Sequence, residues 1–174
     1  DPRPESELII EESLKLIKDK NSNIKILDIG TGSGALAISL AREFVNANIL
    51  AIDISDKAIQ VANKNIINKK LTDKVKLKKT TIDLINNKFD LIVSNPPYLS
   101  KTELKSISFD IRNFEPQIAL DGGIDGLNFY RDFAIQLPKI LNNNGYLIIE
   151  IGDKQYNACK EIFSNSALKF HKKS

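Results

Sequence analysis

The sequence is poor in the residues that build disulfides, metal sites and membrane spans. Among 174 residues there is one cysteine, Cys159, one histidine, His171, and no methionine or tryptophan. A single cysteine excludes an intramolecular disulfide and favours a reducing, cytoplasmic setting. No group of Cys, His and carboxylate residues has metal-ligand spacing, so we expect no metal site. No apolar run approaches the roughly 20 residues of a bilayer span, and no signal-peptide pattern opens the chain.

Composition and charge are those of one ordinary globular domain. Hydrophobic residues make up 42% and charged residues 27% of the chain, and 25 Lys and Arg residues against 22 Asp and Glu residues leave a formal charge of +3. That charge is too small to indicate a nucleic-acid partner by itself. Six lysines lie between Lys69 and Lys79. Such a run is usually a solvated face, and contact with RNA or an acidic partner is the alternative.

Predicted strands and helices alternate along the chain, which favours an α/β class with a doubly wound, mostly parallel sheet. The apolar runs predict five strands, at Ile24–Ile29, Asn48–Ile52, Val75–Leu77, Phe89–Ser94 and Tyr146–Ile151. Helical spacing follows in segments that include Ala35–Phe44, Asp56–Asn68, Gly126–Leu141 and Gln155–Phe163. We expect Pro138 to end or kink the third of these, and Asn142–Gly145 to form a turn before the fifth strand.

A glycine-rich loop follows the first predicted strand. It has glycine at alternate positions and consists of Gly30, Thr31, Gly32, Ser33 and Gly34. Alternating glycines permit a sharp turn and a close approach by a ligand, and the following helix N-terminus favours a carboxylate or phosphate. The spacing is G-x-G-x-G, which differs from the G-x-G-x-x-G of nicotinamide-binding loops.

Two acidic residues are predicted to lie beside this loop. Asp53 ends the second strand, about 20 residues after the loop, where an acid that binds ribose hydroxyls is expected. Its alternative role is a helix cap, for which Ser55 is better placed. Asp83 follows the third strand, where its carboxylate can accept from an adenine amino group while Leu84 covers the ring. The alternative for Asp83 is a residue of an ordinary turn.

The strongest local signal is the tetrapeptide Asn95-Pro96-Pro97-Tyr98 at the end of the fourth strand. Two prolines remove two N–H donors, fix two φ angles and keep Asn95 out of the helical region. The Asn95 side-chain oxygen and the Pro96 carbonyl can then accept the two N–H bonds of an NH2 group, with Tyr98 along its flat face. The alternative is a loop that serves only to leave the strand.

Together, the glycine loop, Asp53 and this tetrapeptide resemble class I S-adenosylmethionine-dependent methyltransferases that act on amino groups. Three further segments are similar to the peptide chain release factor glutamine N5-methyltransferases. The opening motif is Pro2–Glu7, with Ser6 where that family often has Thr. The other two lie in the central loop, which contains Phe114-Glu115-Pro116, followed by Ala119–Gly123 and Asp125–Leu127. The resemblance covers nearly the whole chain, so residues 1–174 are interpreted as one catalytic domain.

The resemblance implies a role for each motif. Gly30, Thr31, Gly32, Ser33 and Gly34 would hold the methionine part of S-adenosylmethionine, Asp53 its ribose, and Asp83 and Leu84 its adenine. Asn95 would face the reactive methyl group, and Asn95, Pro96 and Tyr98 would be catalytic. The substrate would contact Asn95, Pro96, Pro97, Tyr98 and Glu115, and the cofactor product would be S-adenosylhomocysteine.

The implied partner is a class I peptide chain release factor, methylated on the glutamine of its Gly-Gly-Gln motif, without membrane association. That family carries an N-terminal helical substrate-binding domain and a C-terminal strand pair. We expect this chain to be a piece without that domain and with an incomplete strand pair. Leu84 stands where an aromatic residue can occur. The same tetrapeptide also occurs in enzymes that methylate exocyclic amines of nucleic acids, such as adenine N6, which is the alternative function. A nucleotide-binding module without enzymatic activity is a third.

Overall fold

The computed structural model describes residues 4–106, 122–166 and 168. The chain divides into two compact units. The first, here the sheet unit, comprises Asp1–Asn95 and Ile140–Glu150, and the second, here the helical unit, comprises Pro96–Lys139 and Ile151–Ser174. Among the helices of the described residues, none is long and apolar enough to cross a membrane.

Five parallel strands form the centre of the sheet unit, in the spatial order β3-β2-β1-β4-β5. The strands are β1 Lys25–Ile29, β2 Asn48–Asp53, β3 Val75–Lys79, β4 Phe89–Ser94 and β5 Leu141–Ile149. In β1, four successive residues from Ile26 are buried, which is typical of a parallel strand covered on both faces. The predicted α/β class with a doubly wound parallel sheet is confirmed.

Three helices of the sheet unit pack with the strands into one apolar core. They are α1 Pro4–Leu16, α2 Ala35–Glu43 and α3 Asp56–Asn68, and a short 3₁₀ turn, Ile82–Leu84, follows β3. The core includes Ile9 of α1, Leu40 of α2 and Ile66 of α3. Ser55 caps α3 as expected, since its hydroxyl accepts a hydrogen bond from the Ala58 amide at 3.3 Å.

The helical unit contains α4 Lys101–Ser106, α5 Asn128–Ile140 and α6 Tyr156–Ser164. The last residue of α5, Ile140, is counted with the sheet unit. Tyr130, Phe133 and Leu137 recur at helical spacing on α5, and each is at most 1% exposed. Of the two alternatives expected for Pro138, the end of the helix is wrong, because α5 continues to Ile140. The kink stays a prediction. A proline so near the C-terminus removes one intrahelical N–H donor and leaves the earlier turns intact.

The turn predicted at Asn142–Gly145 is also wrong, because these residues lie inside β5. Phe89 pairs with Leu141 and Leu91 pairs with Tyr146, so the four residues 142–145 face the single residue Asp90. This irregularity is a bulge, which inserts extra residues into one strand without ending it. From sequence, a polar segment that contains glycine resembles a turn. The contact that keeps it in the strand is the one between Asn142 and Asp90, which are 52 residues apart.

Asp90 holds three strands together at the amino end of the sheet. Its Oδ2 accepts from the Lys25 backbone N–H of β1 at 2.8 Å, and its Oδ1 accepts from the Asn142 side-chain amide of β5 at 2.6 Å. The Asp90 carboxylate is thus the acceptor both for the first backbone N–H of β1 and for a side-chain amide of the bulge. Asp90 therefore has a structural role in the bulge.

Several predictions fall on residues outside those that the structure describes. They concern Pro2 and Arg3, the segment Phe114–Pro116 with Glu115, and the segment Ala119–Asp121. For these residues the expectations from the sequence stay predictions.

Replacing Asp90 by alanine is expected to destabilise the fold by about 1–3 kcal/mol, because two hydrogen bonds to a charged group are lost, one of them partly buried. Asp90→Asn, which keeps one acceptor oxygen, should be less destabilising than Asp90→Ala. Urea unfolding followed by circular dichroism measures both free energies. An alanine variant that unfolds at the wild-type urea midpoint would contradict this role for Asp90.

Candidate functional site

The candidate site lies at the carboxyl edge of the sheet unit, where three strands end within one residue of each other. Ile29 of β1 pairs with Ile52 of β2 and with Ser94 of β4. Gly30 and Asn95 follow β1 and β4, and Asp53 is the last residue of β2, so all three lie along one edge. Open α/β sheets bind their ligands at this edge, next to the strand where the order reverses.

The glycine loop is anchored to β2 by its backbone. The amides of Gly30 and Thr31 both donate to the Ile52 carbonyl, at 2.9 and 3.0 Å. Gly30, Gly32 and Gly34 have φ angles of 71°, 55° and 80°, a left-handed conformation that glycine adopts without strain. A loop of this shape exposes backbone at the N-terminus of α2.

The third glycine has a packing role as well. A Cβ atom on Gly34 would lie 3.2 Å from the Cβ of Ala62 on α3, whereas a Cβ atom on Gly30 or Gly32 would have no neighbour closer than 4.0 Å. The Asn65 side chain of α3 also donates to the Ser33 carbonyl at 2.8 Å. The loop is therefore held between β2 and α3, with its first two glycines on the open side.

Asp53 lies beside the loop, as its position in the sequence predicts. Its Oδ2 accepts from the Gly32 amide at 3.0 Å, and its Oδ1 accepts from the Ser55 amide at 2.9 Å. A carboxylate has about four lone-pair sites, so two of them are used in this way and two stay available to a ligand. These bonds fix the direction in which the carboxylate points before any ligand arrives.

The sequence interpretation assigned no role to Asp28, which is the buried acid of this edge. It is 1% exposed, and its Oδ2 accepts from the Thr31 hydroxyl at 2.7 Å. Burial raises the pKa of Asp28 to about 6, against the opposing effect of the Thr31 hydrogen bond and with a minor contribution from Asp53. The available signal was a single acid between apolar residues of β1, Leu27 and Ile29.

Asp83 and Leu84 follow β3 in the 3₁₀ turn and are both exposed, Leu84 to 62%. The Thr80 amide donates to the Asp53 carbonyl at 3.1 Å, which ties the start of this segment to the end of β2. An exposed leucine beside an acid is compatible with covering an apolar ring. Their assignment to adenine stays a prediction.

The tetrapeptide crosses the boundary between the two units. Asn95 is the last residue of this stretch of the sheet unit and is partly exposed, and Ser94 before it is tied to β1 by a 2.8 Å bond from its hydroxyl to the Ile29 carbonyl. No residue that the structure describes is hydrogen-bonded to the Asn95 side chain. Pro96, Pro97 and Tyr98 belong to the helical unit, where the Tyr98 carbonyl accepts from Gln155, another residue to which the sequence interpretation gave no role.

The structure thus brings Gly30–Gly34, Asp53 and Asn95 to one sheet edge. Among the described residues, no cluster of three or more His, Cys, Asp or Glu side chains could hold a metal ion. Cys159 is buried, and burial raises the pKa of its thiol to about 11, so it behaves as a small apolar residue. The chemistry of this edge is that of amide and carboxylate oxygens and backbone N–H groups.

Because the folded-state pKa of Asp28 is raised, its favourable contribution is fully present below about pH 3.8 and is lost as the pH rises through about 6. Asp28→Asn should remove this dependence. The stability of the wild type relative to the variant should therefore increase by up to about 3 kcal/mol between pH 7 and pH 4. Urea unfolding at several pH values measures the difference. Asp73→Asn, at an exposed site, is the control, and parallel curves for wild type and Asp28→Asn would contradict this origin of the pH dependence.

Comparisons with known proteins agree with the geometry. A family model described as a methyltransferase domain matches residues 20–172. A release factor glutamine methyltransferase of Flavobacterium psychrophilum is 41% identical over 97% of this chain and 62% of its own length. A ribosomal protein uL3 glutamine methyltransferase of Francisella tularensis is 41% identical over 88% of this chain and 49% of its own length.

The crystal structure of a ribosomal protein L11 methylase from Lactobacillus delbrueckii subsp. bulgaricus has the same fold. It aligns with a TM-score of 0.66 at 24% identity, over 97% of this chain and 72% of that one. The chain spans less than two thirds of the length of both curated relatives. The predicted resemblance to glutamine methyltransferases is confirmed, and the chain belongs to the methyltransferase domain family.

Proposed function

We propose that residues 1–174 form the catalytic domain of an S-adenosylmethionine-dependent protein-glutamine N5-methyltransferase. The proposed substrate is the glutamine of the Gly-Gly-Gln motif in a class I peptide chain release factor. One observation carries this proposal: the Asn95 amide stands at the ligand-binding edge of the sheet, level with the glycine loop and Asp53, with no described residue bound to it. The names of relatives that are 36–41% identical over most of the chain support it.

The residues of the sheet edge fit the proposed cofactor. Gly30–Gly34 would surround the methionine part, since no atom lies within 4 Å of a Cβ position on Gly30 and the loop leads directly into the N-terminus of α2. The two remaining acceptor sites of Asp53 match the two ribose hydroxyls. Asp83 and Leu84 would contact the adenine. When bound, S-adenosylmethionine supplies a methyl group on a positively charged sulfur, which is the electrophile that a weak nitrogen nucleophile needs.

The tetrapeptide would bind and orient the substrate amide. Asn95 Oδ1 and the Pro96 carbonyl would each accept one N–H of the glutamine side chain, and the amide nitrogen would then be held in one orientation. Pro97 stiffens the chain after this pair, Tyr98 would cover the flat face of the amide, and Glu115 would contact the release factor. Positioning of this kind can contribute roughly 7–11 kcal/mol, so no general base is required if the proton leaves after the bond forms.

A reducing, cytoplasmic setting belongs to the same proposal, because the protein has one cysteine and its proposed partner acts in translation. The exposed lysines near β3 leave a nucleic-acid substrate as the alternative. A second candidate within the same chemistry is a glutamine of ribosomal protein uL3, which the name of the Francisella tularensis relative favours. Both protein candidates present the same side-chain amide to the same acceptors.

The function is tested by incubating the protein with S-adenosylmethionine and, separately, a release factor, ribosomal protein uL3 or DNA. Mass spectrometry of the products should show one added CH2 group on the glutamine of the Gly-Gly-Gln peptide. A modified uL3 glutamine would assign the second candidate, and a methylated base would contradict both.

Asn95→Ala should reduce the turnover by about 100-fold or more, because the amide nitrogen loses one of its two acceptors in the reacting complex. Cofactor affinity, measured by calorimetry, should stay within a few-fold of wild type, since the other residues of the cofactor site are retained. Asn87→Ala, at an exposed position before β4, is the matched control and should leave both values unchanged. Asn95→Ala with most of its turnover intact would refute the role of Asn95 as a substrate acceptor.

A further inference from the structure

In the helical unit, the Gln155 side chain joins three separate backbone segments. Its Nε2 donates to the Tyr98 carbonyl at 2.8 Å and to the Gly126 carbonyl at 3.2 Å. Its Oε1 accepts from the Gly152 amide at 3.2 Å. Both Nε2 hydrogens thus have carbonyl acceptors, and the Oε1 has a donor. Only an uncharged amide has this combination of two donors and one acceptor in a planar group.

The surrounding glycines show that this arrangement needs close backbone contact. Gly126 has a φ of 78°, and a Cβ atom there would clash with the Tyr98 carbonyl and with the Gln155 amide. A Cβ atom on Gly152 would lie 3.0 Å from Gln155 Oε1 and 3.2 Å from Cδ2 of the Tyr98 ring. Gly126 and Gly152 therefore leave the space that the Gln155 amide and the Tyr98 ring occupy.

The segment after Tyr98 is joined to the 122–127 loop by backbone hydrogen bonds. The Gly122 amide donates to the Leu99 carbonyl at 2.8 Å, and the Lys101 amide donates to the Gly123 carbonyl at 3.1 Å. These bonds fix residues 99–101. Gln155 extends the connection to Tyr98 itself, because its Nε2 bridges the Tyr98 and Gly126 carbonyls.

We propose that Gln155 is a positioning residue for methyl transfer, which acts by holding the Tyr98 backbone against the 122–127 loop. The inference rests on the proposed function, in which Tyr98 covers the substrate amide. Pro96 and Pro97 fix their own φ angles and restrict the residue before each of them. Neither proline restricts the Tyr98 backbone, and the hydrogen bond from Gln155 to the Tyr98 carbonyl restrains it.

The decisive variant is Gln155→Glu, which keeps the shape of the side chain. Its carboxylate cannot donate to either carbonyl and would repel both. With a release factor as substrate, kcat should fall about tenfold or more, while the KM for S-adenosylmethionine should stay within twofold of wild type. Gln60→Glu makes the same chemical change on the exposed face of α3 and should leave kcat unchanged.

The pH dependence of the methylation rate distinguishes a positioning role of Gln155 from a general loss of structure in the variants. In the Gln155→Glu variant, a protonated carboxyl group can donate one hydrogen bond, and the two facing carbonyls favour that neutral form. The ratio of the Gln155→Glu rate to the wild-type rate should therefore rise as the pH falls from 8 to 6. For Gln155→Ala, which has no group to protonate, the ratio should stay flat.

Hydrogen exchange followed by mass spectrometry tests the contact without any activity. Gln155→Ala should exchange faster than wild type in peptides that cover residues 98–101 and 122–127, with strands β1 to β4 unchanged. If Gln155→Ala exchanges faster in these peptides but the wild type does not methylate a release factor, the proposed function is contradicted and the Gln155 contact is supported. Wild-type kcat and wild-type exchange in both Gln155 variants would overturn the inference, and so would a uniform rise in exchange across the chain.

Discussion

The structure depends on the parallel register of β2, β1 and β4. Ile29 pairs with both Ile52 and Ser94, so the three strands end within one residue of each other and the chain leaves each of them at the same edge. Two further hydrogen bonds stabilise this register, since the Gly30 amide donates to the Ile52 carbonyl and the Ser94 hydroxyl donates to the Ile29 carbonyl. A shift of one strand by one residue would turn its buried side chains to the opposite face. The position of Asn95 is therefore a consequence of core packing.

Much of the sheet edge could be predicted from sequence, because its signals are local. Alternating glycines, an acid about 20 residues later and two consecutive prolines each constrain their own stretch of backbone. The β5 bulge could not be predicted, because Asn142 depends on Asp90, which is far away in the sequence. The roles of Asp28 and Gln155 were missed for the same reason. Burial gives Asp28 its raised pKa, and the partners of Gln155 lie 29 and 57 residues away.

Two kinds of polar side chain serve the two units. In the sheet unit, the Asp53 carboxylate accepts from the Gly32 and Ser55 amides, so its orientation is set by the loop that it is proposed to serve. In the helical unit, the Gln155 amide donates to two carbonyls and accepts from one amide. In both cases a single side chain satisfies backbone groups that lie outside helices and strands. Such bonds orient a site before its ligand arrives, which lowers the cost of binding.

The central claim is that Asn95 Oδ1 and the Pro96 carbonyl bind one amide nitrogen opposite the cofactor. It is tested most directly by a crystal structure of the protein with S-adenosylhomocysteine and a Gly-Gly-Gln peptide. The account predicts the glutamine side-chain nitrogen at about 2.7–3.2 Å from both oxygens, with the cofactor against Gly30–Gly34. A glutamine amide bound away from Asn95, or a cofactor bound away from the glycine loop, would contradict it.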